Sequence, residues 1–312
     1  MILGQSSRTA EYVAFFRACE SVQPKSKRLF FDPFAKHFIR RSLRAAVWFS
    51  RIPLLGALVP WYADRRLPGA RTSAIARTRW IDDATCQALH ENIRQIVILG
   101  AGFDCRAYRL PGINATTVFE VDHQATLAWK LSCLREVLPK LPQNVRYVQA
   151  DFNRENVPDL LAQAGFNSSL PAMFLWEGVT NYLTSEAVDA VLRTVSSCAP
   201  GSRIIFTYVH SGALDGSVHF EGAPKLLDDV KQLGEPWTFG LDPDAVPEFL
   251  RQRGLLLDRD ASADEYRAQL YGTNAQHMKG YEFYHMAIAH VPARATDILS
   301  TQQDAAAGSL HA

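Results

Sequence analysis

An α/β fold, a doubly wound and mostly parallel seven-stranded sheet behind a helical N-terminal cap, is predicted by three features of the chain. From residue 95 onward, short apolar runs rich in Val and Ile alternate with helical stretches, the pattern of strands buried on both faces. The first run, Ile96-Val97-Ile98-Leu99, ends abruptly in Gly100-Ala101-Gly102, where missing side chains let the backbone turn tightly and approach a ligand. Later runs end in acids, at Asp122, Asp151 and Glu177. In an open sheet of this Rossmann-like kind, ligands sit beyond the carboxyl ends of the strands, so the glycines and acids are expected to line one crevice.

Taken in order, residues 1–90 read as a helical cap contributing to that crevice. Thr9–Glu20 places Tyr12, Val13, Phe15, Phe16 and Cys19 at helical spacing. Asp32-Pro33 is expected to open another helix, with Asp32 as cap and Pro33 in the first turn. The apolar segment 45–63 is interrupted by Arg51, Pro53, Gly56 and Pro60 and falls short of a membrane span of ~20 apolar residues. It reads as a buried or ligand-covering helix pair, with a membrane-surface contact as the alternative and no stable insertion. A helix over 73–91 follows. Residues 91–292 then carry the sheet, with strands expected at 95–99, 117–121, 146–149, 172–176, 203–209, 255–258 and 283–291. Helices are expected at 124–138, 157–164, 185–198 (capped by Thr184) and 245–253. Residues 211–245, rich in Gly, Pro and Asp, are read as a lid-like excursion over the sheet edge, and 293–312 as a disordered tail.

Composition narrows the function. A net charge of +1 over 312 residues offers no basic field for nucleic acid. The five cysteines are odd in number and include no Cys-x-x-Cys pair, which argues for reduced thiols, no metal site and a cytoplasmic setting. The N-terminus lacks the charged region and apolar core of a signal peptide.

Asp122 lies 22 residues after Gly100, near the ~20-residue interval at which an acid meets a ribose diol. Nicotinamide and flavin dinucleotides share this pattern with S-adenosyl-L-methionine. A dinucleotide needs a third glycine, so that a helix N-terminus approaches the pyrophosphate. Cys105 occupies that position, and Asp104 sets a negative charge beside it. S-Adenosyl-L-methionine has no phosphate and carries two cations that acids tolerate, so the methyl donor is the preferred cofactor.

At these residues the chain resembles the leucine carboxyl methyltransferase-like group of class I S-adenosyl-L-methionine-dependent methyltransferases, which includes bacterial polyketide O-methyltransferases. The resemblance rests on Arg28–Ala35, Ala76–Asp83, Leu99–Arg106, Phe119–Asp122, Ala150–Phe152 and Glu177–Thr184. It implies that Asp122 holds the ribose and that Asp151 with Phe152 holds the adenine. It further implies that Gly100 and Gly102 lie under the donor, that Arg77 pairs with the methionine carboxylate, and that Glu177 sits near the ammonium. Cys105 stands where the group usually has Thr, and Phe152-Asn153 replaces the commoner Leu-Arg, which makes a peptide-carboxylate acceptor less expected.

Methyl transfer from a sulfonium is an in-line displacement in which positioning dominates. A carboxylate acceptor needs no base, whereas a phenol, with a pKa of about 10, benefits from one. His210 is the first candidate base, and Tyr182 a candidate for orienting the acceptor. The aromatic N-terminal third suggests a wall for a small, planar, hydrophobic acceptor of natural-product or polyketide type. Alternatives are carboxyl methylation of a protein C-terminus, an NAD(P)-dependent oxidoreductase, and a nucleoside-binding protein without catalysis. Oligomeric state is not encoded legibly.

Overall fold

A computed structural model of the chain describes residues 8–52, 58–66 and 68–293. The expected tail and the middle of the 45–63 segment lie outside these residues. The N-terminal region holds helices α1 (Arg8–Ser21), α2 (Arg41–Phe49), α3 (Leu58–Arg66) and α4 (Ala70–His90). The glycine-ended run is β1 (Gln95–Leu99), followed by the one-turn helix α5 (Arg106–Arg109), β2 (Thr117–Asp122), α6 (Gln124–Val137), β3 (Val145–Gln149), α7 (Val157–Gln163) and β4 (Ala172–Trp176). The chain continues through α8 (Ser185–Ser196), β5 (Arg203–Val209), α9 (Ser211–Asp215), α10 (Ala223–Gln232), α11 (Val246–Arg251), β6 (Leu256–Ser262), α12 (Ala263–Tyr271) and β7 (Tyr284–His290).

The strands form one seven-stranded sheet in the order β3-β2-β1-β4-β5-β7-β6. β1 to β5 are mutually parallel, and β7 runs antiparallel to both β5 and β6. The order reverses between β1 and β4, which opens a crevice there. Because strand side chains alternate in direction, β1 feeds two cores. Val97 and Leu99 join Phe119, Phe174, Trp176 and Phe206 on one face, against α8 and its neighbours. Ile96 and Ile98 join Val118, Met173 and Leu175 on the other, with Trp80 and Ile81 of α4. A third apolar cluster, including Phe15, Phe16, Phe38, Ile75 and Phe103, seats the N-terminal helices on the turn after β1.

The structure departs from the sequence expectations at four places. Asp32 does cap a turn, its Oδ1 accepting from the Phe34 and Ala35 amides at 3.0 Å each, but the turn is a 3-10 segment of three residues, Ala35–His37, and not a helix. In the 45–63 segment two helices form, yet Val47 is the one buried residue of α2 and α3 has none. Segment 211–245 is partly helical and lies over a strand end instead of the sheet edge. Leu241 makes a parallel bridge to His210, and its amide donates to the Val209 carbonyl at 3.0 Å. The return is thereby fixed beside the carboxyl end of β5. Finally, α12 is not among the expected helices, although Ala263, Tyr266 and Leu270 stand at i, i+3 and i+7 and pack on the core. It is set by a capping box, in which Ser262 and Glu265 exchange hydrogen bonds with each other's backbone.

Candidate active site

The β1 turn is built by close contact. Gly100 has φ +65° and Gly102 φ +43°, both left-handed. A Cβ on Gly100 would lie 2.3 Å from Val179 Cγ2, so the turn after β1 and the loop after β4 meet across the crevice with no room for a side chain. Gly102 faces α1, where Ala10 Cβ is 3.7 Å from the position its own Cβ would take. The N-terminal helix therefore covers the glycine turn.

Asp122 at the end of β2 is 8 % exposed. Its Oδ2 accepts from the Gly102 amide at 2.5 Å and its Oδ1 from the His123 amide at 2.6 Å. Burial raises its carboxyl above the usual range despite these two donors. The Ala150 amide donates to the Asp122 carbonyl at 3.0 Å, which sets the end of β3, with Asp151 and Phe152, beside it. Asp151 Oδ1 accepts from the Asn153 amide at 3.0 Å, and the partly buried Phe152 packs on the sheet core.

Glu177 leaves β4 into a loop pinned by Thr207 of β5. The Gly178 amide donates to Thr207 Oγ1 at 2.7 Å, and Thr180 Oγ1 donates to the Thr207 carbonyl at 2.6 Å. The Glu177 carboxylate is gripped from two sides, by Arg77 Nε on Oε1 and Arg106 Nη1 on Oε2, each at 2.8 Å. Burial acts to raise this carboxyl, but Arg106 and Arg77 together hold it below its ordinary value, so it is an anion. Arg77 itself is 7 % exposed, and its guanidinium lies 5.4 Å from the Tyr284 ring centre.

Arg106 begins a chain of alternating charges. It pairs with Asp104 and, at 2.8 Å, with Asp82 of α4. Asp82 also takes both terminal nitrogens of Arg109, at 2.7 and 2.8 Å. Asp32 lies 3.7 Å from Arg109 Nε and 3.0 Å from Arg17 Nε of α1. Arg17 in turn donates to the Phe103 carbonyl. Four arginines and four acids thus tie α1, α4, the glycine turn and the β4 loop together. The quoted motifs already contained Asp32, Asp82, Asp104 and Arg106, but only folding shows which acid meets which arginine.

This chain revises the role of Asp104. Its charge is taken up by Arg106, and its Oδ1 accepts from the Arg106 amide at 2.7 Å, so it closes the start of α5 instead of projecting toward a ligand. The case against a pyrophosphate rests instead on α5, whose single turn offers little of the dipole or the donor array that binds one.

The two acceptor-side candidates part company. Tyr182 stands just past the β4 loop, its ring edge-on to Trp237 with centroids 6.4 Å apart. Trp237 in turn packs on Tyr284 at 5.5 Å. The excursion delivers Trp237 there because the Thr238 amide donates to the Asn181 carbonyl at 2.8 Å. Thr9 of α1 also donates to Glu235 at 2.7 Å, so α1 and the excursion meet. His210, by contrast, caps α9: its Nδ1 accepts from the Gly212 amide at 3.0 Å, and its ring packs on Phe220 and His285. With Nδ1 accepting, the neutral ring carries its proton on Nε2 and presents a donor there. Trp237 and Tyr284 carry no signal in the sequence, because nothing in an isolated aromatic residue says that it packs beside Tyr182 and Arg77.

The acid and guanidinium geometry fits an adenosyl donor bearing a methionine zwitterion. Asp122 sits at the strand end next to the glycine turn, and the Arg77–Glu177 pair offers one charge to each end of an amino acid. A family model described as leucine carboxyl methyltransferase matches residues 10–196. A relative from Mycolicibacterium gilvum, provisionally named an S-adenosyl-L-methionine-dependent methyltransferase, is 35% identical over 241 residues, covering 76% of this chain and 74% of its own. Another of the same provisional name, from Streptomyces coelicolor, is 32% identical over 259 residues, covering 81% and 88%. Among solved structures, one from Thermobifida fusca, provisionally titled a methyltransferase, superposes with a TM-score of 0.57 at 19% identity, covering 94% of this chain and 97% of that one. A Streptomyces avermitilis protein does so with a TM-score of 0.58 at 15% identity, covering 94% and 100%. At such identities the structures establish the fold, and the sequence matches establish the lineage. The chain belongs to the leucine carboxyl methyltransferase family and is an S-adenosyl-L-methionine-dependent methyltransferase.

Proposed function

We propose that the enzyme methylates an oxygen, of a phenol or of a carboxylic acid, on a small hydrophobic acceptor of polyketide or similar natural-product type. The observation that carries this reading is the aromatic set Tyr182, Trp237 and Tyr284, which adjoins Arg77 where the excursion crosses the strand ends. Such a set suits a flat apolar molecule better than an extended polar chain.

The bound donor supplies a methyl group on a sulfonium already activated for displacement. This chain's residues hold the reactants. Asp122 would take the ribose hydroxyls and Asp151 with Phe152 the adenine, while the Gly100–Gly102 backbone, Arg77 and Glu177 would receive the methionine part. Burial pushes the Tyr182 phenol up, so at neutral pH it is a hydrogen-bond donor and not a base, suited to orienting an acceptor oxygen. With His210 committed to its cap, an acceptor that arrives as an anion is favoured. That consideration, together with the family's name, favours a small carboxylic acid over a phenol, and the aromatic set favours a small molecule over a protein C-terminus.

The test is a panel of hydrophobic phenols, hydrophobic carboxylic acids and peptides ending in leucine, incubated with the donor and scored by mass spectrometry for gain of one methyl. Tyr182→Phe is expected to raise KM for the acceptor about tenfold, roughly 1.4 kcal/mol, with donor affinity by calorimetry unchanged. Methylation of the peptides alone would overturn the small-molecule reading.

A further inference from the structure

We propose that the paired helices α2 and α3 form a docking face for an anionic lipid surface, holding the enzyme peripherally on a membrane. Among the described residues, five of the eleven exposed large apolar side chains fall on these two short helices: Trp48, Phe49, Leu58, Trp61 and Tyr62. The others are scattered over the rest of the chain. Trp48 and Trp61 are each 58% exposed and Tyr62 63%, values at which the rings contribute little to the core. The two helices contact each other, Trp48 and Phe49 pack edge-on on α2, and Leu58, Trp61 and Tyr62 stand at i, i+3 and i+4 on one side of α3. A clustered apolar patch of this kind marks an interaction site.

Charge names the partner. Residues 36–66 contain seven Lys and Arg against one acid, Asp64, in a chain whose net charge is only +1, so the remainder of the molecule is negative. Asp64 is itself paired with Arg71 at 2.6 Å. Arg41, Arg44, Arg51, Arg65 and Arg66 are exposed, on these two helices or directly after α2. The Arg44 guanidinium donates to the Ile39 and His37 carbonyls, which leaves its charge uncompensated by any acid in those contacts. Arg65 lies 5.8 Å from the Trp61 ring centre, so cation and aromatic share one surface. Trp and Tyr bodies with arginines beside them suit the boundary between headgroups and acyl chains.

The competing occupants fit less well. A second copy docking through the same face would bring like charges together, since a two-fold interface is self-complementary. Insertion across a bilayer has no candidate, since no helix of the described residues is long and apolar enough to cross a membrane. The face is anchored to the enzyme's own machinery: α3 contacts α4, which carries Arg77, and α2 contacts α1, which covers Gly102.

The full chain is tested by co-sedimentation with vesicles of phosphatidylcholine alone and of phosphatidylcholine mixed with phosphatidylglycerol. Partitioning at least about tenfold stronger to the mixed vesicles, weakened by added salt, is expected. Trp48→Ala with Trp61→Ala, and separately Arg41→Glu with Arg51→Glu, are each expected to reduce that partitioning about tenfold or more. Donor affinity and melting temperature serve as checks that these exposed-site variants stay folded. The proposal is overturned if the wild-type chain stays in the supernatant with both vesicles, or if both folded variants sediment as it does. It is equally overturned if the variants instead abolish a dimer seen without lipid.

Discussion

Asp104 shows how far a single residue's chemistry depends on its neighbour. Burial alone would raise its carboxyl, yet Arg106, helped by Lys130 and Arg17, brings it down to about 2. A native pKa below the unfolded value of about 3.9 means that the group stabilises the fold above pH 4. That contribution, about 2 kcal/mol, is lost as the pH falls from 4 through 2. Asp104→Asn is therefore expected to lower stability at neutral pH and to flatten the acid limb between pH 4 and 2, as read by thermal melts across that range. An unchanged limb would place the acid sensitivity elsewhere in the ion-pair chain. The sequence displays Asp104 in full view, directly after the glycine turn. In sequence its charge reads as directed at a ligand, because Arg106, two residues on, has no visible direction until α5 turns it back.

At the scale of elements, β2 and α6 are joined by a pair that the strand pattern conceals. Glu120 and Lys130 are both fully buried, with Lys130 Nζ 2.9 Å from Glu120 Oε2. Burial keeps the Glu120 carboxyl above the usual range even with this lysine beside it. Removing one partner strands the other in an apolar interior, so Lys130→Met is expected to cost about 3–5 kcal/mol. The double variant Glu120→Leu, Lys130→Met should recover most of that loss, as measured by urea denaturation. Equal losses in the single and double variants would mean that packing, not charge, decides the site. The strands themselves were legible: β1, β4 and β5 fall at the expected residues, because Val- and Ile-rich runs between turn residues have few other ways to fold. α12 was not, because its apolar stripe is only three residues, Ala263, Tyr266 and Leu270, set among charged and polar neighbours behind the Ser262–Glu265 box. The buried Lys130 likewise could not be told from a solvated helix lysine until its partner strand was in place.

For the whole molecule, the candidate donor site is assembled from parts that are remote in sequence: α1, the β1 turn, the β4 loop and the 211–245 excursion meet there. A ligand that binds only this assembled state stabilises it by mass action. At a hundredfold excess over its Kd, S-adenosyl-L-methionine is expected to add about 2.7 kcal/mol and raise Tm by roughly 5 °C in a thermal shift assay. NADH at the same concentration should leave Tm unchanged, and a shift with NADH alone would overturn the donor assignment.

The sequence by itself determined the fold class and the seven strands, and it marked Gly100, Gly102, Asp122 and Glu177 as the residues standing at the strand ends. These are consequences of local pattern: apolar runs dictate strands, and the ends of parallel strands must share a crevice. It did not determine what covers that crevice or what the remaining surfaces face. The closure of α1 over Gly102, the arrival of Trp237 beside Tyr182, the capping of α9 by His210, and the aromatic and cationic exposure of α2 and α3 depend on contacts between residues far apart in the chain. Each side chain there has several plausible neighbours in sequence terms, and only the packing of the folded molecule selects one.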